Sequence, residues 1–138
     1  MLKSQTQMKL SEYSSLYDIL IPDDNELRQI NELIDFGFVY EELKDKYSFT
    51  MGRGAIDPIV MFKYLLLKAL YPVSDKGLVK RAFTDMSYKY FLGLNPEDPV
   101  IDSTSLTKFR RQRLKDTNIL DLLIGKTVKI AIEKRTFK

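Results

Sequence analysis

The chain has 138 residues, of which 44% are hydrophobic and 30% charged, a composition typical of a globular domain and not of a disordered chain. It contains no cysteine and no histidine, which excludes disulfides, cysteine or serine–histidine nucleophiles and the usual zinc sites. The net charge of +3 hides a division. Residues 1–50 hold 5 basic and 10 acidic residues (net −5), and residues 51–138 hold 17 and 9 (net +8). The basic part predicts a polyanion partner, although two oppositely charged layers packed together would explain the division equally well.

Nothing in the sequence indicates a membrane partner. The most apolar stretches, residues 59–70 and 119–132, contain lysines and are shorter than the roughly 18 apolar residues of a membrane span. Residues 1–10 lack the apolar core of a signal peptide. We therefore predict a soluble, cytoplasmic protein.

The first half of the chain predicts a flexible N-terminal arm, residues 1–14, followed by short helices. An apolar run at residues 16–21 ends at a proline, and capping residues at 23–25 precede a helix. The apolar residues of that helix recur in steps of three and four: Leu27, Ile30, Leu33 and Ile34. A further helix is expected over residues 38–47, and a loop over residues 50–54.

The strongest start signal belongs to the next helix. Asp57 can cap it, Pro58 suits the first helical position, and the apolar pattern continues to about Tyr71. Because this helix is apolar on most sides, we predict that it is the central, most buried one. Ser74 caps the helix after it, whose expected buried stripe is Leu78, Val79, Ala82, Phe83 and Met86.

Three more helices complete the predicted fold. A short aromatic one ends at Gly93, which suits a left-handed C-cap, and an acidic, proline-containing loop follows at residues 95–99. The last two helices are expected at about residues 102–115 and 118–135. The prediction is an all-α fold: one compact multi-helix domain, residues 15–138, behind the arm.

The helix near residue 110 carries the main functional signal, since residues 103–115 include five basic residues and no acidic one. Leu106, Phe109 and Leu114 define its buried side. The opposite face has the i, i+4, i+7, i+11 spacing of Thr104, Lys108, Arg111 and Lys115. Thr107 and Gln112 border that face. Arg110 and Arg113 lie toward the apolar side, where they either pair with acids or reach phosphates around the rim.

Such a face suits the major groove of DNA, because lysine and arginine neutralise phosphates and arginine and glutamine hydrogen-bond base edges. The two preceding helices form the platform that a helix-turn-helix variant requires, although the loop between them and the basic helix, about ten residues, is longer than the usual turn. The alternative is a solvated basic surface that binds nothing.

Other candidate sites have weaker patterns. Arg53 lies between two glycines in a loop that lacks the full phosphate-binding pattern, and we expect at most a contact with the DNA backbone there. The paired carboxylates at residues 23–24, 41–42 and 97–98 are expected to be structural. The last helix is apolar on more than one side, so it is either sandwiched in the core or contacts a second copy or another domain.

Several segments, in this order and spacing, resemble the N-terminal domain of insertion-sequence transposases of the InsH-like, DDE type. The likeness covers nearly all of the chain after about residue 14, and these segments carry it: Leu16-Tyr17-Asp18, Leu33-Ile34-Asp35-Phe36, Gly52-Arg53-Gly54-Ala55-Ile56-Asp57-Pro58, Met61-Phe62-Lys63-Tyr64-Leu65-Leu66-Leu67, Leu78-Val79 with Asp85, Tyr88-Lys89-Tyr90-Phe91-Leu92-Gly93-Leu94, Asp98-Pro99-Val100 and Ser105-Leu106-Thr107-Lys108-Phe109-Arg110. Two departures are Gly54, where a proline is common, and Asp102-Ser103, where a proline-aspartate-histidine sequence is often seen.

The resemblance implies a prokaryotic, nucleoid-associated domain that recognises the terminal inverted repeats of a mobile element during DNA transposition. The family's magnesium-dependent cutting and joining belongs to an RNase H-like domain that would follow, so we expect no catalytic residue, cofactor or metal in this chain. The expected DNA-binding residues are Arg53, Thr104, Thr107, Lys108, Arg110, Arg111, Gln112, Arg113 and Lys115. Expected partners are double-stranded DNA, a second copy of the chain and the catalytic domain. The alternative function is a helical interaction or dimerisation module that docks the catalytic domain.

Overall fold

A computed structural model of the chain describes residues 11–43, 57–113 and 117–136, and at residues 112, 113, 117, 118, 135 and 136 it describes the backbone alone. Every regular element in these ranges is a helix, which confirms the predicted all-α fold. In chain order the helices are α1 (Leu16–Leu20), α2 (Glu26–Leu33), α3 (Gly37–Leu43), α4 (Pro58–Leu70), α5 (Asp75–Thr84), α6 (Met86–Leu92), α7 (Ser103–Lys108), which continues as a π-helix over Phe109–Arg113, and α8 (Thr117–Thr136).

Short polar side chains begin most of these helices. Each accepts a hydrogen bond from a backbone N–H of the first turn that has no partner within the helix, which typically stabilises a helix by about 1 kcal/mol. The caps are Asn25, Asp57, Ser74, Asp85 and Asp102. The predicted starts of α2, α4, α5 and α7 are thereby confirmed.

Helix α4 forms the centre of the core, as its sequence predicted. Eight of its residues are buried, among them Phe62, Leu66 and Leu67, which are almost completely inaccessible. Helices α3, α5 and α6 pack against it. Pro58 occupies its first position, and its C-cap residue Tyr71 donates its backbone N–H to Leu67 O, 2.8 Å away.

Parts of the prediction for the first half lie outside the described residues. These are residues 1–10 of the expected arm, the end of the helix predicted at 38–47, and the loop around Arg53. Residues 11–14 form a turn, and the Ser11 hydroxyl donates to Glu97 Oε1 at 3.2 Å. Helix α3 begins one residue earlier than predicted, at Gly37, whose N–H donates to Asp35 Oδ1 at 2.9 Å.

The predicted buried stripe of α5 was wrong at Phe83. Leu78 and Ala82 are buried as expected, but the side chain of Phe83 is 57% exposed. It lies on the opposite side of α5 from Leu78, the residue that faces the core, and the Lys89 ammonium lies over its ring at 5.1 Å. Met86 was also misplaced, because Asp85 ends α5 and at the same time caps α6.

The long connection from α6 to α7 is held in place along its length. Gly93 adopts the left-handed conformation, with φ of 81°, that its sequence position predicted. The buried Lys89 ammonium donates to Pro96 O and Asp98 O, both at 2.8 Å. Near the start of α7, the Ile101 N–H donates to the hydroxyl of Tyr64 in α4 at 3.2 Å. The core therefore fixes where α7 begins.

Helix α8 packs on the rest of the domain through one side only. Leu123 and Thr127 are buried there, and the Thr127 hydroxyl donates to Leu123 O at 2.8 Å. The large apolar residues Leu122, Val128 and Ile132 are exposed. None of the described helices is long and apolar enough to cross a bilayer.

Candidate nucleic-acid interface

Helix α7 is anchored by its apolar side. Its first turn is capped by Asp102, which accepts the Ser105 N–H at 2.8 Å. Leu106 is fully buried, and Phe109 is 6% exposed. The helix packs against α5. These contacts leave the opposite side of α7 at the surface.

Thr104, Lys108 and Arg111 all lie exposed on that outer side. Their exposure agrees with the spacing read from the sequence, although the helix is not regular throughout. From Phe109 onward it is a π-helix, whose wider turn has i to i+5 hydrogen bonds and alters the angular positions of the residues in it. The backbones of Gln112 and Arg113 belong to this π-helical segment. Arg53 and Lys115 lie outside the described residues.

Two of the predicted site residues bind Asp75, the first residue of α5. Arg110 forms a bidentate ion pair with it, with Nη1–Oδ1 at 3.1 Å and Nη2–Oδ2 at 2.9 Å. The Thr107 hydroxyl lies 2.8 Å from Asp75 Oδ2 and 3.0 Å from Ser103 O. For Arg110 the sequence left open an acid partner or a phosphate, and the acid partner is Asp75.

Lys68 of α4 completes this cluster, with its Nζ 2.6 Å from Asp75 Oδ1. The Arg110 guanidinium above all, aided by Lys68 and Thr107, holds the pKa of the Asp75 carboxyl well below its usual range. In return, the hydrogen bonds from Arg110 to Asp75 raise the pKa of the guanidinium. The carboxylate, with its side chain only 14% exposed, thus ties α4, α5 and α7 together.

A shallow groove of about 370 Å³ opens beside this cluster, between the first turns of α5 and α7. Ser74, Asp75 and Lys76 line one side, and Ser103, Thr104 and Thr107 line the other. Lys76 and Lys80 are exposed, one turn apart on the outer side of α5. The cationic surface therefore spans two helices.

Four residues of this surface are not among the residues predicted from the sequence: Lys68, Asp75, Lys76 and Lys80. Lys76 and Lys80 could have been found, because their i, i+4 spacing places both opposite Leu78 on α5. The role of Asp75 could not, because Asp75 and Arg110 are 35 residues apart and neither residue type specifies the other. The sequence around Lys68 likewise gives no indication that this side chain contacts Asp75.

A second cavity, of about 250 Å³, contains a desolvated lysine. Lys63 of α4 donates to Asn31 Oδ1 and to Phe91 O, both at 2.9 Å, and its ammonium lies 4.9 Å and 5.0 Å from the ring centroids of Phe36 and Phe91. Burial lowers the pKa of Lys63 to about 8. All of these partners lie within the chain, so the arrangement is structural.

The described residues contain no group of three or more acidic side chains placed to hold a metal ion. No curated protein and no solved structure matches the chain. A family model does match, over residues 15–112, and its description is "Transposase domain (DUF772)". The match covers more than half of the chain, from α1 into the π-helical segment after α7. The chain therefore belongs to this transposase domain family, as its resemblance to the N-terminal domain of insertion-sequence transposases predicted.

Proposed function

We propose that this chain is the DNA-binding domain of an insertion-sequence transposase and that α7 enters the major groove of the element's terminal inverted repeats. The observation that carries the proposal is the surface of α7. Thr104, Lys108 and Arg111 are exposed there, while Leu106 and Phe109 hold the other side in the core. A rigidly held helix with two cations and a hydroxyl on its outer side has the chemistry to bind phosphates and base edges.

Helices α5 and α6 take the place of the supporting helices of a helix-turn-helix variant. Helix α5 packs against both α6 and α7, and Lys76 of α5 shares the groove with Thr104. In helix-turn-helix proteins a supporting helix that packs against the recognition helix crosses the DNA backbone. We assign that role to α5, with Lys76 and Lys80 as phosphate contacts.

The remaining residues divide into two groups. Thr107 and Arg110 support the surface, because their donors are engaged by Asp75 and hold α7 against α5. Gln112, Arg113, Lys115 and Arg53 stay in the proposed interface on the strength of the sequence pattern. The cutting and joining of DNA, with its magnesium ions, we assign to a separate RNase H-like domain.

The test is binding of the full chain to a duplex made from the inverted repeats that flank its gene, measured by fluorescence anisotropy. The variant with Lys108→Glu and Arg111→Glu should bind this duplex about a hundredfold or more weakly, because two attractive contacts become repulsive. A scrambled duplex of the same length measures how much of the binding depends on sequence.

The matched control makes the same change of net charge elsewhere, with Lys126→Glu and Lys134→Glu, both at exposed positions of α8. It should retain affinity within about threefold, because screening removes most of a distant charge effect. Circular dichroism checks that both variants are folded. If the α7 variant is folded and binds the repeats as the wild type does, the assignment of α7 is wrong.

A second candidate function is a protein-interaction module that works through α8. Its support is the exposure of Leu122 (70%), Val128 (45%) and Ile132 (60%) on one helix. Apolar side chains grouped on a helix surface are typical of interaction sites. This function and DNA binding use different helices, so one chain can have both.

A further inference from the structure

Five residues on the outer side of α8 combine apolar, small and charged side chains in an order that is symmetric about Gly125. At the centre of this surface lies Gly125. Three residues before and after it are Leu122 and Val128, and four residues before and after it are Asp121 and Lys129. All five are exposed. We call these five residues the α8 surface.

No neighbouring atom in the described part of the domain requires a glycine at position 125. Among the described residues, a Cβ atom at this position would meet no atom within 4 Å other than its chain neighbours and the backbone of α8 itself. Glycine in the middle of an exposed helix destabilises that helix relative to alanine, so its presence is unfavourable for the isolated chain. A glycine does allow another backbone to approach the helix closely.

The charges of the α8 surface cannot satisfy each other within one helix. Asp121 and Lys129 are eight residues apart, which corresponds to about 12 Å along the axis. Within the described part of the chain, neither of them forms an ion pair. Each of these two side chains is therefore available to pair with an opposite charge on a second molecule.

We propose that α8 pairs with α8 of a second copy of this chain, antiparallel, with the two helices crossing at Gly125. A two-fold axis at the crossing brings a residue a given number of positions before Gly125 to the level of the residue equally far after it in the other copy. Leu122 then lies beside the second copy's Val128, and Asp121 beside its Lys129, each contact occurring twice. The α8 surface of each copy thus provides the apolar contact and the opposite charge for the α8 surface of the other copy.

This inference deepens the second candidate function by naming the partner, and it does not depend on DNA binding. The charge order favours a second copy over an unrelated partner, because the surface is complementary to itself when reversed. A helix with two like charges at positions 121 and 129 would repel itself in this arrangement. The apolar side chains alone would not discriminate between these partners.

The test is sedimentation velocity of the full chain without DNA over a range of concentrations. The wild type should form dimers, and Asp121→Lys or Lys129→Asp alone should weaken dimerisation at least about tenfold, since each creates two like-charge contacts. The variant with both substitutions should recover wild-type dimerisation. An equimolar mixture of the two single variants should form heterodimers, because every charged contact is then attractive.

Gly125→Ala provides an independent readout. At a concentration where the chain is monomeric, it should raise the melting temperature by about 2–4 °C, because alanine favours the helix. It should nevertheless weaken dimerisation, because the added methyl groups separate the crossing helices. A structural role for the glycine within the monomer would instead lower the melting temperature.

Two results would overturn the proposal. One is a wild-type chain that stays monomeric at the highest concentration. The other is a dimer that the charge variants, their combination and the mixture leave unchanged. The variant with Lys108→Glu and Arg111→Glu should dimerise normally, so loss of DNA binding and loss of dimerisation are separate outcomes. If the chain stays monomeric but its α8 surface binds the purified catalytic domain, the second candidate function survives and the self-pairing does not.

Discussion

Asp75 at the start of α5 holds the guanidinium of Arg110, 35 residues later, through two parallel hydrogen bonds of 3.1 Å and 2.9 Å. The pair fixes α7 against α5 next to the exposed cations Lys76 and Lys108. It places one negative charge inside a basic surface. The orientation of the proposed recognition helix therefore depends on an acid that is itself not suited to contact DNA.

Replacing that acid should weaken both stability and DNA binding. Asp75→Asn leaves Lys68 and Arg110 without their counter-charge, and because those partners are about one-third exposed we expect a loss of about 1–2 kcal/mol in unfolding free energy. Urea denaturation measures it. Asp24→Asn, at an exposed position, should change stability by less than about 0.5 kcal/mol.

The contribution of Asp75 should also depend on pH. Its pKa in the folded chain lies below the ordinary value, so its stabilising effect is fully present above about pH 4, the range of an unfolded aspartate, and is lost as pH falls toward the lower folded value. The stability difference between wild type and Asp75→Asn should therefore shrink in acid. A difference that grows as pH falls would contradict the assignment.

Because of Lys63, the free energy of unfolding should increase as the pH rises into the mildly alkaline range. Its pKa is about 8 in the folded chain and near 10.5 in the unfolded chain, so between these values the unfolded state binds more protons and stability rises with pH. By pH 9.5 the gain should be about 2 kcal/mol. Lys63→Met should abolish the rise, as measured by denaturation at several pH values.

The measurement for Lys63 should end below about pH 10 because tyrosines act in the opposite direction there. Burial is the main cause that raises the pKa of Tyr71 to about 12, and it also raises the pKa of Tyr17 above its ordinary value. Their contribution to stability is lost as pH rises above the ordinary tyrosine value. An unchanged alkaline rise in Lys63→Met would show that another group causes it.

The two sides of α5 should respond very differently to truncation. Leu78→Ala removes a fully buried side chain and should destabilise the domain by about 2–5 kcal/mol. Phe83→Ala removes a larger but exposed ring and should cost less than about 1 kcal/mol. Thermal denaturation distinguishes the two variants. A large loss of stability in Phe83→Ala would indicate that Phe83 is buried, as the sequence pattern predicted.

If α5 crosses the DNA backbone, its lysines should contribute charge but no sequence discrimination. Replacing both Lys76 and Lys80 by alanine should reduce the slope of log affinity against log salt by about two units. The ratio of affinities for the repeat and a scrambled duplex should stay the same. Lys134→Ala is the control and should leave the slope unchanged, whereas Arg111→Ala should lower the affinity ratio as well.

Local chemistry made much of the fold readable from the sequence. Caps such as Asp57 and Ser74, the proline at position 58 and the glycine at position 93 each act on the residues next to them, so their effects follow from the sequence alone. The central position of α4 follows from its apolar residues on most sides. The exposure of Thr104, Lys108 and Arg111 follows from helical periodicity, given that Leu106 and Phe109 are buried.

Contacts between distant segments could not be read in this way. Phe83 is apolar and close to a helical stripe, and only the packing of α5 leaves it at the surface. The π-helical segment from Phe109 to Arg113 alters the spacing that a regular helix would give. The residue types alone predict neither the exposure of Phe83 nor the π-helical segment.

Residue types and spacing along this chain were sufficient to predict the helices, the central α4 and an exposed cationic side on α7, because those features arise from interactions among neighbouring residues. Tertiary structure alone determined that Asp75 contacts Lys68, Thr107 and Arg110. It also determined that Lys76 and Thr104 line the same groove and that one side of α8 is exposed. Those relationships depend on which helices meet in three dimensions, and that is decided by burial of the whole core and not by any local pattern.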